Sequence, residues 1–164
     1  MKTKISSFEG IRSFLKEGAW STAVLRVLNE AYNERKILEE KSSAILAGGI
    51  MQHGYQCGMI WGAVLAAGVR AYELYGPGPE AETRAVMTAQ KLVKEFQSCS
   101  GEINCVEITD IDNSSSALKM LFVFLIKGKT LSCMRLTGKY SSKAFNTINE
   151  SLYEKDIEIQ SAPV

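Results

Sequence analysis

The chain has 164 residues, 46% of them hydrophobic and 23% charged, and its 19 Lys plus Arg nearly cancel 18 Asp plus Glu. That length suits one well-packed domain spanning residues 1–164. A net charge of +1 gives no electrostatic footing for a nucleic-acid partner or an anionic membrane surface.

At the N-terminus, mixed-charge and amphipathic residues lack the apolar core of a secretory signal, so a cytoplasmic protein is expected. Ser7-Phe8-Glu9-Gly10 leads into a short helix carrying Phe8, Ile11, Phe14 and Leu15 at spacings of three and four, which Gly18 stops. The next stretch, from Trp20, puts Ala23, Val24, Val27, Leu28, Ala31 and Tyr32 on one helical face. A further helical segment, Ser42 to Leu46, runs into Gly48-Gly49. Residues 44–69 hold no Asp, Glu, Lys or Arg and are long enough for a bilayer. Their middle, however, holds Gln52, His53 and Gln56, which would lie near the midplane at considerable cost, so no membrane insertion is expected.

Past a glycine-rich junction at 48–58, a helix is expected from about Tyr55 to Tyr75. Gly54, Gly58, Gly62 and Ala66 recur every four residues and form a ridge that lets another helix approach closely. Cys57 falls in the first turn of this expected helix, where unpaired N–H groups and the dipole favour a thiolate. A small buried packing residue is the other reading of Cys57. Gly76-Pro77-Gly78-Pro79 is a turn, and Pro79 opens a helix over about 79–98 with Ala85, Val86, Ala89, Leu92, Val93 and Phe96 on its apolar side.

Residues 98–116 cluster turn formers and are irregular. The apolar run 117–126 reads as a buried helix, with a strand left open by its aromatic and β-branched content, and it serves as core or as a homodimer seam. Two stretches, 131–136 and 141–155, complete a helical C-terminal part, and 157–164 reads as a frayed tail. The sum is an all-α, single-domain helical bundle of five to seven helices.

Several familiar motifs fail on inspection. Gly128-Lys129-Thr130 looks like the end of a phosphate loop, but the glycine needed five residues earlier is Val123. Asp110 and Asp112 open a calcium-like loop whose sixth and twelfth positions are Ser115 and Leu121, so these residues are assigned to capping the helix that follows. Gly76 to Glu80 lacks the strand-before context of a dinucleotide site. His53 is the only histidine, which excludes sites needing two imidazoles. No CxxC or CxxCH occurs, so covalent c-type haem is excluded. With no export signal, the four cysteines (Cys57, Cys99, Cys105, Cys133) are read as packing, redox or metal-ligating groups and not as a disulfide scaffold.

The order Cys57-Gly58-Met59-Ile60-Trp61-Gly62, then Gly101-Glu102-Ile103-Asn104-Cys105, then Cys133 resembles the small redox-active proteins of the C_GCAxxG_C_C type. Those proteins carry a CGAxxG hexad followed by two separated cysteines, and the likeness runs over about residues 18–138. It implies a redox role through thiol–disulfide chemistry, or through an iron–sulfur or other metal centre, with Cys57, Cys105 and Cys133 as working residues. Cys99 and His53 stand beside them as auxiliary ligands, and a redox partner, unspecified by the sequence, is implied too. Two departures stand out: the family's first cysteine aligns with Trp20, and the hexad's alanine is Met59. Thiol exchange would pair Cys57 with Cys105 or Cys133, residues that only the fold can bring together. The competing reading is a non-enzymatic helical scaffold with structural cysteines.

Overall fold

A computed structural model describes residues 2–153. Five long helices carry the architecture: α1 (Ser7–Glu17), α2 (Trp20–Tyr32), α5 (Gly58–Tyr75), α6 (Pro79–Ser100) and α9 (Lys129–Leu152). Between α2 and α5 lie α3 (Ile37–Ser42), a 3-10 turn (Ser43–Leu46) and α4 (Ala47–Ile50), a single turn that is left-handed from Gly48 onward. Between α6 and α9 lie α7 (Cys105–Thr109) and α8 (Ala117–Leu121), the latter running into a π-helical turn, Phe122–Ile126. Among the described residues there is no strand, only a single bridge between Gln56 and Asn104. The all-α bundle expected from the sequence is therefore what forms.

Local chemistry sets the boundaries. Ser6 and Glu9 close a capping box at the start of α1, and Gly18 ends it in the left-handed conformation at φ 75°. Pro79 opens α6 at its first position. The five long helices pack in cyclic order, each on two neighbours: α1 on α2, α2 on α5, α5 on α6, α6 on α9, and α9 back on α1. Val24 and Leu28 of α2, Ile60 and Ala67 of α5, Leu92 and Phe96 of α6, and Tyr140, Phe145 and Ile148 of α9 fill the shared core. Phe96 and Tyr140 meet edge to face there.

Several expectations change. In α1 the side chains of Phe8 and Leu15 face solvent, and the buried residues are Gly10 and Ser13. A Cβ on Gly10 would come 3.0 Å from the Cα of Gly138, so α1 and α9 cross backbone to backbone and the small face turns inward. The run 117–126 is not buried: Leu118, Leu125 and Ile126 are 80%, 69% and 74% exposed, and Val123 alone is fully covered. The core is already filled by the five long helices, so this segment lies over them as a flap, with Met120, Val123 and Phe124 turned inward. Helix α5 begins at Gly58, three residues later than the pattern suggested. Asp112 holds Ser114 and Ser115 in a turn, and the cap of α8 is Ser116 alone. The expected frayed tail lies outside the described residues. No helix among the described residues is long and apolar enough to cross a membrane.

Candidate functional site

Two chain segments far apart in sequence meet at the start of α5. The Cys57 amide donates to the Ile103 carbonyl (2.8 Å), the Cys105 amide to the Tyr55 carbonyl (2.7 Å) and the Val106 amide to the Gly54 carbonyl (3.0 Å). This short antiparallel clasp fixes Cys57 and Cys105 on either side of the Gln56–Asn104 bridge. Cys57 is the N-cap of α5, and Cys105 is the first residue of α7. Cys133 arrives from the second turn of α9, whose start is tied to α7 by Lys129 Nζ donating to the Ile108 carbonyl (2.6 Å).

The three cysteines line one small cavity of about 40 Å³ together with Trp20, Met59, Ile108, Thr109 and Phe124. Trp20 stands at the first turn of α2, so the position where the resemblance expects a fourth cysteine borders the other three. Gly62 explains how it gets there. A Cβ on Gly62 would lie 2.4 Å from the Ser21 carbonyl oxygen, so only glycine lets the first turn of α2 settle on α5. Gly58 does the same for the preceding chain, where a Cβ would sit 2.8 Å from the Leu46 carbonyl oxygen. The two glycines of the hexad are thus the contact points that close the cavity around Cys57.

Burial dominates the electrostatics. Desolvation pushes the Cys57 thiol far above its ordinary range, the Met59 amide opposes this weakly, and charge on Cys105 or Cys133 would push it further. Cys133 is pushed up to about 11, by burial first and then by Cys105. Cys105 is raised by burial and partly relieved by the Thr109 hydroxyl, 3.9 Å from its sulfur. The thiolate expected at Cys57 from helix geometry is therefore a protonated thiol, because burial outweighs the helix end.

A groove of about 680 Å³ opens beside this cavity and shares Trp20, Gly48, Cys105, Thr109 and Phe124 with it. One wall is the turn Gly48 to Gln52, five consecutive residues at positive φ, including Ile50 at 62° and Met51 at 49°. A β-branched residue in that region is strained, and such strain gathers where structure serves a site. Of the three thiols, Cys105 is half-buried and reached from the groove, whereas Cys57 and Cys133 are buried.

The auxiliary residues lie elsewhere. His53 is exposed, with its Nδ1 at 3.1 Å from the Asn113 amide and its ring stacked on Tyr55, and it does not line the cavity. Cys99 sits in the last turn of α6, facing a separate polar pocket that Cys133 borders from the other side. Among the described residues no three His, Cys, Asp or Glu side chains are disposed to hold a metal ion. A 40 Å³ space has room for roughly one to three water-sized groups, too little for an iron–sulfur cluster. The cavity as it stands therefore does not fit an iron–sulfur cluster. Phe124 and Thr109 are parts of the site that the sequence reading missed. Thr109 had a signal, since it lies four residues after Cys105 and so on its face of α7.

Residues 20–147 match the model of a family described as a putative redox-active protein (C_GCAxxG_C_C). No curated protein and no solved structure matches the chain.

Proposed function

The chain belongs to the C_GCAxxG_C_C family, and from that membership we propose that it is a thiol–disulfide redox protein working through Cys57, Cys105 and Cys133. The observation that carries this reading is the shared cavity, to which three cysteines from three distant segments and Trp20 all contribute. Cys105 is the entering thiol, because the groove reaches it. Its thiolate attacks one sulfur of a partner disulfide, the other sulfur leaves as a thiolate, and a mixed disulfide forms. The Cys57 thiol then gives up its proton, attacks Cys105, and expels the partner's remaining sulfur as a second thiol. The balance is one protein disulfide formed and one partner disulfide reduced by two electrons. Cys133 is the third thiol of the cavity and is buried behind the pair. A reducing, cytoplasmic compartment suits such a dithiol, because it keeps the resting state reduced.

The test uses a Cys99→Ser background, so that the outlying thiol is silent. With Ellman's disulfide reagent, the protein releases two thiolate equivalents per disulfide it forms and ends without an adduct. Adding Cys57→Ser leaves one equivalent released and a stable adduct on Cys105. Cysteines that stay unreactive, or adducts that persist in both proteins, overturn the reading. Absorption and metal assay of protein purified without oxygen check the metal alternative, and a colourless, metal-free sample is expected.

A second reading rests on the exposed face of the flap, where Leu118, Leu121, Phe122, Leu125 and Ile126 present contiguous apolar surface. This face supports self-association with a second copy of the chain. Light scattering of wild type against Leu125→Glu checks it: a mass that halves supports the contact, and a monomer in both removes it.

A further inference from the structure

The groove beside Cys105 has the features of a ligand site. Its volume of about 680 Å³ lies within the usual range for small-molecule pockets. None of its lining residues carries a charge, so it offers no partner for the phosphates of a nucleotide cofactor or the carboxylates of a charged thiol. Trp20 and Phe124 supply rings, and Met51 and Met120 supply polarisable thioethers, a set suited to flat apolar ring systems. Phe14 is already stacked on the Trp20 indole at 3.4 Å and 3°, which fixes the indole plane that borders the groove. Gln52, held on the strained left-handed turn, brings an amide donor to the wall. The floor is continuous with the cysteine cavity through Trp20, Cys105 and Thr109.

We propose that this groove binds a neutral quinone, which accepts the two electrons of the Cys57–Cys105 dithiol. The assignment rests on the dithiol reading above and adds the class of electron acceptor. In the reaction the two S–H bonds break and one S–S bond forms. Both electrons pass into the quinone ring and both protons end on its carbonyl oxygens, giving the hydroquinone. Gln52 binds one carbonyl of the acceptor, and the rings of Trp20 and Phe124 hold its plane against the thiol.

Duroquinone is the probe, because its methyl groups leave no ring C–H position for a thiol to replace. Without oxygen, the reduced protein carrying Cys99→Ser is expected to reduce one duroquinone per disulfide formed, with a rate that saturates in quinone. The Cys105→Ser variant is expected to show saturable quenching of tryptophan fluorescence by duroquinone with no turnover. Ile45 is a 62% exposed wall residue, so Ile45→Glu should fold as wild type in a melting curve. It is expected to raise the half-saturating quinone concentration at least about tenfold, through the cost of placing a charge against an apolar ligand. Diamide, a small thiol oxidant, separates the two ideas. Disulfide formation with diamide but a linear quinone dependence, equal in wild type and Ile45→Glu, overturns the quinone site alone. That is also the outcome if an apolar protein segment occupies the groove. No disulfide with either oxidant overturns the dithiol reading beneath it.

Discussion

At Cys57 two influences oppose each other. The residue precedes the first turn of α5, where free amides favour a negative sulfur, yet it is 6% exposed and packed among other thiols. Burial wins, and it raises Cys105 and Cys133 as well. The resting trio is therefore protonated, and reactivity has to follow the small thiolate fraction. In the Cys99→Ser background, the rate of Cys105 alkylation should keep rising with pH beyond the range where a thiol of ordinary pKa levels off. Mass-spectrometric mapping of iodoacetamide adducts checks this, with Cys105 labelled well before Cys57. Trp20 is the other informative residue. It occupies the fourth corner of the cavity and stacks on Phe14, so Trp20→Cys exchanges ring packing for a sulfur. For a half-buried indole the expected loss is about 2 kcal/mol. A disulfide involving the new cysteine should appear in the oxidised peptide map.

Among the elements, the α2–α5 contact matters most for the site. The alanine-rich face of α5 and the bare Cα of Gly62 bring α2 close enough for position 20 to reach the cysteines. Gly62→Ala would push a methyl group against the Ser21 carbonyl, a backbone atom that cannot turn aside. The expected cost is at least about 2 kcal/mol, read as a lower urea midpoint. Cys57 and Cys133 should also become faster to alkylate as α2 moves off the cavity. The equivalent change at Gly68, where a Cβ meets nothing within 4 Å, should be neutral or stabilising and serves as the control. The flap formed by α8 and its π turn depends on another balance. It turns Met120, Val123 and Phe124 inward and leaves its remaining apolar side uncovered.

For the whole molecule, the raised thiols tie stability to pH. Below the ordinary thiol value of 9.0, Cys133 is protonated in both folded and unfolded chains, and its contribution is fully present. Above it the unfolded chain ionises first, while the folded thiol holds its proton until about 11, so stability falls as pH rises from 9.0 to about 11. The contribution lost is on the order of 3 kcal/mol. Urea unfolding at either end of that window checks it, and the fall should be smaller in Cys133→Ala than in wild type.

The sequence alone determined the helical class, the caps at Gly18 and Pro79, and the family to which the chain belongs, because periodicity, turn chemistry and residue order are local properties. It also marked Gly58 and Gly62 as a place of close approach. Their partners, the Leu46 and Ser21 carbonyls, came only from tertiary packing. The same is true of the inward face of α1, the exposure of 117–126 and the separation of His53 from the cysteines. Each depends on which surfaces other helices have already covered, a quantity no single segment contains. The protonation of Cys57 belongs there too: its helix position was legible, but its burial by α7, α9 and Trp20 was decided by segments far away in sequence.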